Sequence, residues 1–193
     1  MRHSTRFVAL LMLTTAACTP DGEITSTSAP AIQAVVDSAP YLCELVPKQA
    51  LILVSGGSDF LTERSTGNKE SGSCWAPDET PKPLQVNWLQ TGSGATEEHL
   101  NFLLEGRRNI YTRHGGVNLP ANLGEGMAAY LTDGLLAEQP YRVSAKFTCG
   151  GKERMIDIYL TQVAKGRDAM KDLTDLMRIA QHRYADLHNC DLK

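Results

Sequence analysis

The stretch YRVSAKFTCGGKERMIDIYLT, residues 141–161, restricts the fold more than any other part of the chain. Tyr141, Val143, Ala145, Phe147 and Cys149 alternate with Arg142, Ser144, Lys146 and Thr148. A period of two places the two sets on opposite faces of a strand. Gly150-Gly151 then supplies a tight turn, and Ile156, Ile158 and Leu160 alternate with Asp157 and Tyr159 on the way back. The pattern predicts a hairpin with one solvated face, hence an antiparallel sheet. Such a sheet needs a cover for its apolar face, and the end of the chain offers one. From about Arg167 to Leu187, Ala169, Leu173, Leu176, Ala180, Tyr184 and Leu187 recur every three or four residues, the stripe of a long amphipathic helix. Asp168, Asp172 and Asp175 early in it, and Arg178, His182 and Arg183 late in it, match the helix dipole. The expectation is an α+β fold: an antiparallel β-sheet with packed helices, one of them this C-terminal helix.

The remaining elements are fainter. PYLCELVPKQALILVSGG reads as a short helix with Pro47 in its first turn, Gly56-Gly57 at its end and Leu51, Ile52 and Val54 on its apolar face. SDFLTERSTGNKESGS is polar and rich in Gly and Ser, so it reads as a loop, and CWA as the start of a short strand. PLQVNWLQ alternates, with Leu84, Val86 and Trp88 on one face and Gln85 and Asn87 on the other, which predicts a half-buried strand. In TGSGATEEHLNFLLEGRR the period changes. Thr96 is a candidate N-cap, Glu97 and Glu98 fall in the first turn, and Leu100, Leu103 and Leu104 form the stripe of a second helix. HGGVNLPANLGEG reads as a turn-rich connection and MAAYLT as a strand.

The N-terminus carries an address. Arg2 and Arg6 precede the apolar run Phe7 to Leu13, which has signal-peptide length and is far short of the roughly 20 residues that span a bilayer. Thr15-Ala16-Ala17 gives the small residues a signal peptidase needs, and Cys18 follows. The arrangement resembles a bacterial lipobox, with Thr15 where Leu is usual, and implies a lipidated Cys18 as the mature N-terminus. The alternative is an ordinary secretory signal cleaved near Ala17. The organisation expected is therefore a leader over 1–17, a lipidated cysteine and Ser/Thr/Pro-rich tether over 18–39, and one extracytoplasmic domain over 40–193. With Cys18 acylated, four cysteines remain: Cys43, Cys74, Cys149 and Cys190. An even set suits disulfides in an oxidising compartment. Of the three possible pairings, Cys43–Cys74 and Cys149–Cys190 are expected, because each joins segments near in sequence, whereas a bridge such as Cys43–Cys149 has nothing local to favour it.

LCELVP near the domain start, followed by CW some 30 residues later, resembles the actinobacterial lipoprotein family known as domain of unknown function 3558. The matching residues are Cys43, Leu45, Cys74 and Trp75, and FTCGG and LTDLMRIAQHRYADLHNC are similar to later parts of the family. The likeness spans roughly Tyr41 to Cys190. It implies a fold and an export route; the family brings no reaction to place on residues here.

A search for chemistry returns little. The chain contains no G-x-S-x-G nucleophile elbow. VSGGS, TGSG and the HGG at His114 sit where helices begin or end and read as caps and turns. His99, His114, His182 and His188 include no pair spaced i, i+4, and Cys190 beside His188 reads as half a disulfide, so no metal site is assigned. GSGATEE lacks the lysine of a phosphate loop and carries acids where a phosphate would lie. Trp75 and Trp88 are candidates for a sugar or lipid groove, with burial beside a disulfide the plainer reading. The precursor has 19 basic and 22 acidic residues; loss of Arg2 and Arg6 with the leader leaves 17 against 22, a net charge of −5. That balance excludes nucleic acid as the expected partner. No catalytic residue and no cofactor is assigned. The expectation is a membrane-anchored, non-enzymatic domain that binds a protein or a small ligand; the alternative is a cell-envelope enzyme whose site is scattered through the sequence.

Overall fold

The computed structural model describes residues 33–58, 62–76, 82–92, 94–132 and 138–193; Cys18, the leader and most of the tether lie outside them. Chain order runs β1 (Tyr41–Leu42), β2 (Val46–Pro47), α1 (Lys48–Ser55), β3 (Arg64–Gly67), β4 (Ser71–Ala76), β5 (Leu84–Gln90), α2 (Glu97–Arg113), β6 (Val117–Asn118), β7 (Glu125–Tyr130), β8 (Tyr141–Cys149), β9 (Lys152–Leu160) and α3 (Ala169–His188). β1 and β2 pair with each other. The other seven strands form one sheet in the order β3-β4-β5-β9-β8-β7-β6, antiparallel at every junction.

The expected helix ends are present. Thr96 caps α2 by accepting the His99 N–H at 3.1 Å, and Asp168 caps α3 by accepting the Lys171 N–H at 3.0 Å. Gly56 closes α1 in the left-handed region at φ 67°. Pro47 stands just before α1 as its cap and not within the first turn.

The hairpin β8–β9 turns through Gly150 and Gly151, both at positive φ, and forms the centre of the sheet with β5. One face of that centre is the main core. Val86, Val143, Ala145, Ile156 and Ile158 pack there against Leu51 and Val54 of α1 and Leu173, Leu176, Met177 and Ala180 of α3. The stripe of α3 frays at both ends: Ala169 is half-buried and Leu187 is 41% exposed.

Two sequence expectations are corrected. The stretch read as a loop contains β3 and half of β4. Every residue of β3 is exposed, so no apolar alternation marks it. Its turn is closed instead by Asn68, whose Oδ1 accepts the N–H groups of Glu70 and Ser71 at 2.8 and 3.0 Å. The second correction concerns the polar face of β8–β9. It is covered by α2, so Ser144, Asp157 and Lys146 are buried. Leu100 meets Met155 on that face, and Tyr111 meets Met127, Ala129 and Leu131.

Both disulfides form as expected, Cys43–Cys74 and Cys149–Cys190, with Cα separations of 5.5 and 5.4 Å. On the chain-entropy account each stabilises by about 3–4 kcal/mol. The first ties the β1–β2 turn to β4. The second ties the end of β8 to the residue after α3's cap, and the tail continues as a backbone pair: Gly150 N–H to Asp191 O and Lys193 N–H to Thr148 O, both 3.1 Å. Upstream, Val35 packs against the main core and the Gln33 carbonyl accepts from Arg167 at 3.1 Å.

Candidate ligand-binding site

Two concavities flank the β3–β4 hairpin, one on each face of the sheet, and both touch Thr66, Gly67 and Trp88. They differ in whether their polar groups are already satisfied.

The hollow on the α2 face, about 370 Å³, ends on an ion pair. Arg107 of α2 grips Asp157 of β9 with both prongs, Nε to Oδ1 at 2.9 Å and Nη2 to Oδ2 at 2.8 Å. Ser144 donates to the same Oδ1 at 2.6 Å, and Tyr111 adds its hydroxyl to Ser144 at 2.9 Å. Burial pulls the Arg107 pKa down, but the hydrogen bonds and charge of Asp157 outweigh it and the net shift is upward. Burial pushes the Tyr111 hydroxyl far above its ordinary pKa, with Tyr159 and Asp157 adding to it. Nearby, Asn87 accepts from Ser73 at 2.7 Å and from Gln85 at 3.0 Å. No buried side-chain nitrogen or oxygen of this network lacks a hydrogen-bond partner. Its physical role is to let α2 dock on the polar side of the sheet.

The cavity on the α3 face, about 300 Å³, lies between the β3–β4 hairpin, residues 43–45 and the end of α3. Trp88 forms one wall. Its indole lies across Gly72, where a Cβ would come within 2.3 Å of the ring, and its Nε1–H donates to Asn68 O at 2.7 Å. Glycine at 72 is what lets the ring span the hairpin. Tyr184 and His188 form the opposite wall, stacked with centroids 4.0 Å apart and planes at 18°. They stand one helical turn apart on α3, the spacing at which side chains meet.

Beside this stack stands Arg154 of β9, only 6% exposed, with its Cζ 5.8 Å from the Tyr184 ring. Its Nε and Nη1 have no hydrogen-bond partner among the described residues, and neither has the buried Tyr184 hydroxyl. No acidic side chain among the described residues forms an ion pair with Arg154. Such groups are rare in folded proteins and each calls for a reason. Burial lowers the His188 pKa first; the charges of Arg154 and Lys69 push the same way, and Glu44 opposes them. Residues 43 and 44, which line the cavity, both adopt left-handed backbone, φ 52° and 58°. Non-glycine residues seldom hold that conformation, and where they do it concentrates at functional sites.

The two tryptophans singled out in the sequence therefore part company. Trp88 walls the cavity. Trp75, half-buried beside Cys74, carries the Lys82 ammonium 4.0 Å above its ring. Arg154 and Lys69 gave no sequence signal, and Tyr184 was visible only as part of the α3 stripe. Cys43, Glu63 and Cys74 bring ligand-type atoms within 4.8 Å of one another, but both sulfurs are consumed in the disulfide and offer no thiolate. No helix among the described residues is long and apolar enough to cross a membrane. Comparison with protein-family models, with curated proteins and with solved structures returned no match.

Proposed function

We propose that this chain is an extracytoplasmic lipoprotein, similar to the family of domain of unknown function 3558 and held to the membrane through Cys18, whose folded part is a non-enzymatic binding domain for a small ligand. The leader-like N-terminus and two disulfides support the location. The observation that carries the binding role is the cavity beside Trp88, walled on its other side by the stacked Tyr184 and His188 rings. Small-molecule sites are concave, largely apolar or aromatic, and furnished with a few unspent polar groups.

Two experiments test the two halves. A mixture of small aromatic compounds, neutral, cationic and anionic, is titrated into the folded domain while the Trp88 indole N–H is followed by NMR. Movement of that signal by some members is the expected result; a signal indifferent to every member overturns the binding role. Metabolic labelling with a lipid precursor tests the anchor, with loss of label and of membrane fractionation expected for Cys18→Ser and a label retained by that variant overturning it.

A further inference from the structure

α2 lies on the sheet face opposite the Trp88 cavity, and its outward side carries a signal independent of the binding role. We infer from it that the chain associates with a second copy of itself through α2, the two helices packed antiparallel about a twofold axis at Gly106. Phe102 is 74% exposed, more than any other large apolar side chain among the described residues. One turn further on, Gly106 sits in the interior of a 17-residue helix, where glycine weakens the helix relative to alanine. A Cβ at Gly106 would meet nothing within 4 Å, so no packing inside the chain calls for the glycine.

A protruding ring and an unused gap on one helix face fit each other. Glu98, Phe102, Gly106, Ile110 and Arg113 recur every three or four residues and share one side of α2. Gly106, Asn109, Ile110 and Arg113 frame a hole of the kind that receives one side chain from a facing helix. A hollow of about 300 Å³ opens beside Gly106, lined also by Leu103, Ile110 and Tyr159, and deepens that gap. Seating Phe102 of each copy in this hole of the other fixes the arrangement as antiparallel and twofold, each contact occurring twice. Gly106 then faces Gly106 at the crossing, where a larger residue would hold the helix axes apart.

The charges agree with this register, although shape alone fixes it. Glu98 of each copy falls beside the other copy's Arg113. Both residues are exposed, and neither forms an ion pair among the described residues. Arg113 donates from Nε to the Asn109 carbonyl at 3.1 Å, which holds its guanidinium next to the hole. The two helix dipoles run in opposite senses, the favourable arrangement for neighbours. Parallel packing would set Glu98 against Glu98 and Arg113 against Arg113. A contact of about four helical turns is small for a permanent dimer, so a dissociation constant of about 10–100 μM is expected.

Sedimentation equilibrium of residues 19–193, which hold the whole described fold, should show a reversible monomer–dimer equilibrium that weakens as salt rises. Phe102→Ala and Gly106→Leu should each raise the dissociation constant about tenfold or more. Neither position is packed inside the chain, so neither urea midpoint should fall, and that of Gly106→Leu should rise. Glu98→Lys and Arg113→Glu should each weaken self-association several-fold, since each sets like charges together twice per dimer. Mixing those two variants should restore the affinity of the unaltered protein, because every facing pair is then again of opposite sign. A chain that sediments as a monomer at about 1 mM overturns the second-copy assignment and leaves the α2 face to a partner of different sequence. A dimer untouched by Phe102→Ala and Gly106→Leu lies on another face and overturns it equally. Charge variants that weaken association singly and do not recover on mixing overturn the antiparallel register.

Discussion

Asp157 and Arg154 leave the same strand three residues apart, on opposite faces, and their surroundings differ. Asp157 is met by a two-pronged arginine, a serine and, through the serine, a tyrosine. Arg154 is met by the face of a tyrosine ring and leaves two donors unused. Burial is similar at the two positions, so burial alone says nothing about role. A polar group that is sealed and fully partnered belongs to the architecture. A polar group that is sealed and unpartnered is a departure that stability alone does not explain.

The contrast can be broken most sharply by removing each charge. Asp157→Ala strands Arg107, Ser144 and Tyr111, and should lower unfolding free energy by about 3–5 kcal/mol in a denaturant titration. Arg154→Met removes a group with no ion-pair partner among the described residues and should change stability by under about 1 kcal/mol, with a gain as readily as a loss. A loss for Arg154→Met as large as that for Asp157→Ala would mean that Arg154 has a structural partner.

Gly72→Ala ranks next. The new methyl meets both the Trp88 ring and the Thr66 carbonyl, 2.3 and 2.4 Å from the ideal Cβ position. Forcing them apart should destabilise by about 1–3 kcal/mol and shift the Trp88 fluorescence maximum. An unshifted maximum would show that the indole does not depend on that glycine.

The same edit on the two faces gives the cleanest comparison. Tyr111→Phe deletes a hydroxyl that hydrogen-bonds to Ser144 and should cost about 1–2 kcal/mol. Tyr184→Phe deletes a hydroxyl with no hydrogen-bond partner among the described residues and should be neutral or stabilising by up to about 1 kcal/mol, measured the same way. Equal losses in the two variants would erase the distinction between the faces.

The smallest effect is a pH dependence. His188 has a lowered pKa in the folded protein, so the unfolded chain takes up its proton first. Stability is therefore fully present above the unfolded value of about 6.5 and declines as pH falls from there toward the lower folded value, flattening below it. His188→Gln should flatten this acid-side slope in urea midpoints measured at stepped pH.

Much of this architecture was legible in the sequence because the core writes itself as periodicity. The β8–β9 alternation, the α3 stripe and the pairing of near-neighbour cysteines all follow from apolar spacing and loop length. The β3–β4 hairpin was not legible, since RSTGNKESGS buries nothing of its own and is held by backbone pairing, an Asn68 turn and a disulfide. The covered polar face was half-legible. Leu100, Leu104, Arg107 and Tyr111 are spaced 4, 3 and 4 apart, which puts Arg107 on α2's inward stripe and calls for an acid on the sheet. The cavity was the least legible part. Its walls, Trp88 of β5 and Tyr184 and His188 of α3, come from elements about a hundred residues apart, and their meeting is something no single segment can display.

The Cys43–Cys74 bridge has a bearing on affinity as well as on folding. Residues 43–45 form one side of the cavity and the β3–β4 hairpin another, and the bridge joins them covalently. The two sides cannot drift apart between binding events, so an incoming molecule finds a preorganised receptacle and little of its interaction energy is diverted into ordering the chain. Reduction of that bridge in an otherwise folded molecule would leave every contact available and still weaken capture, because the receptacle would then have to be assembled anew at each encounter.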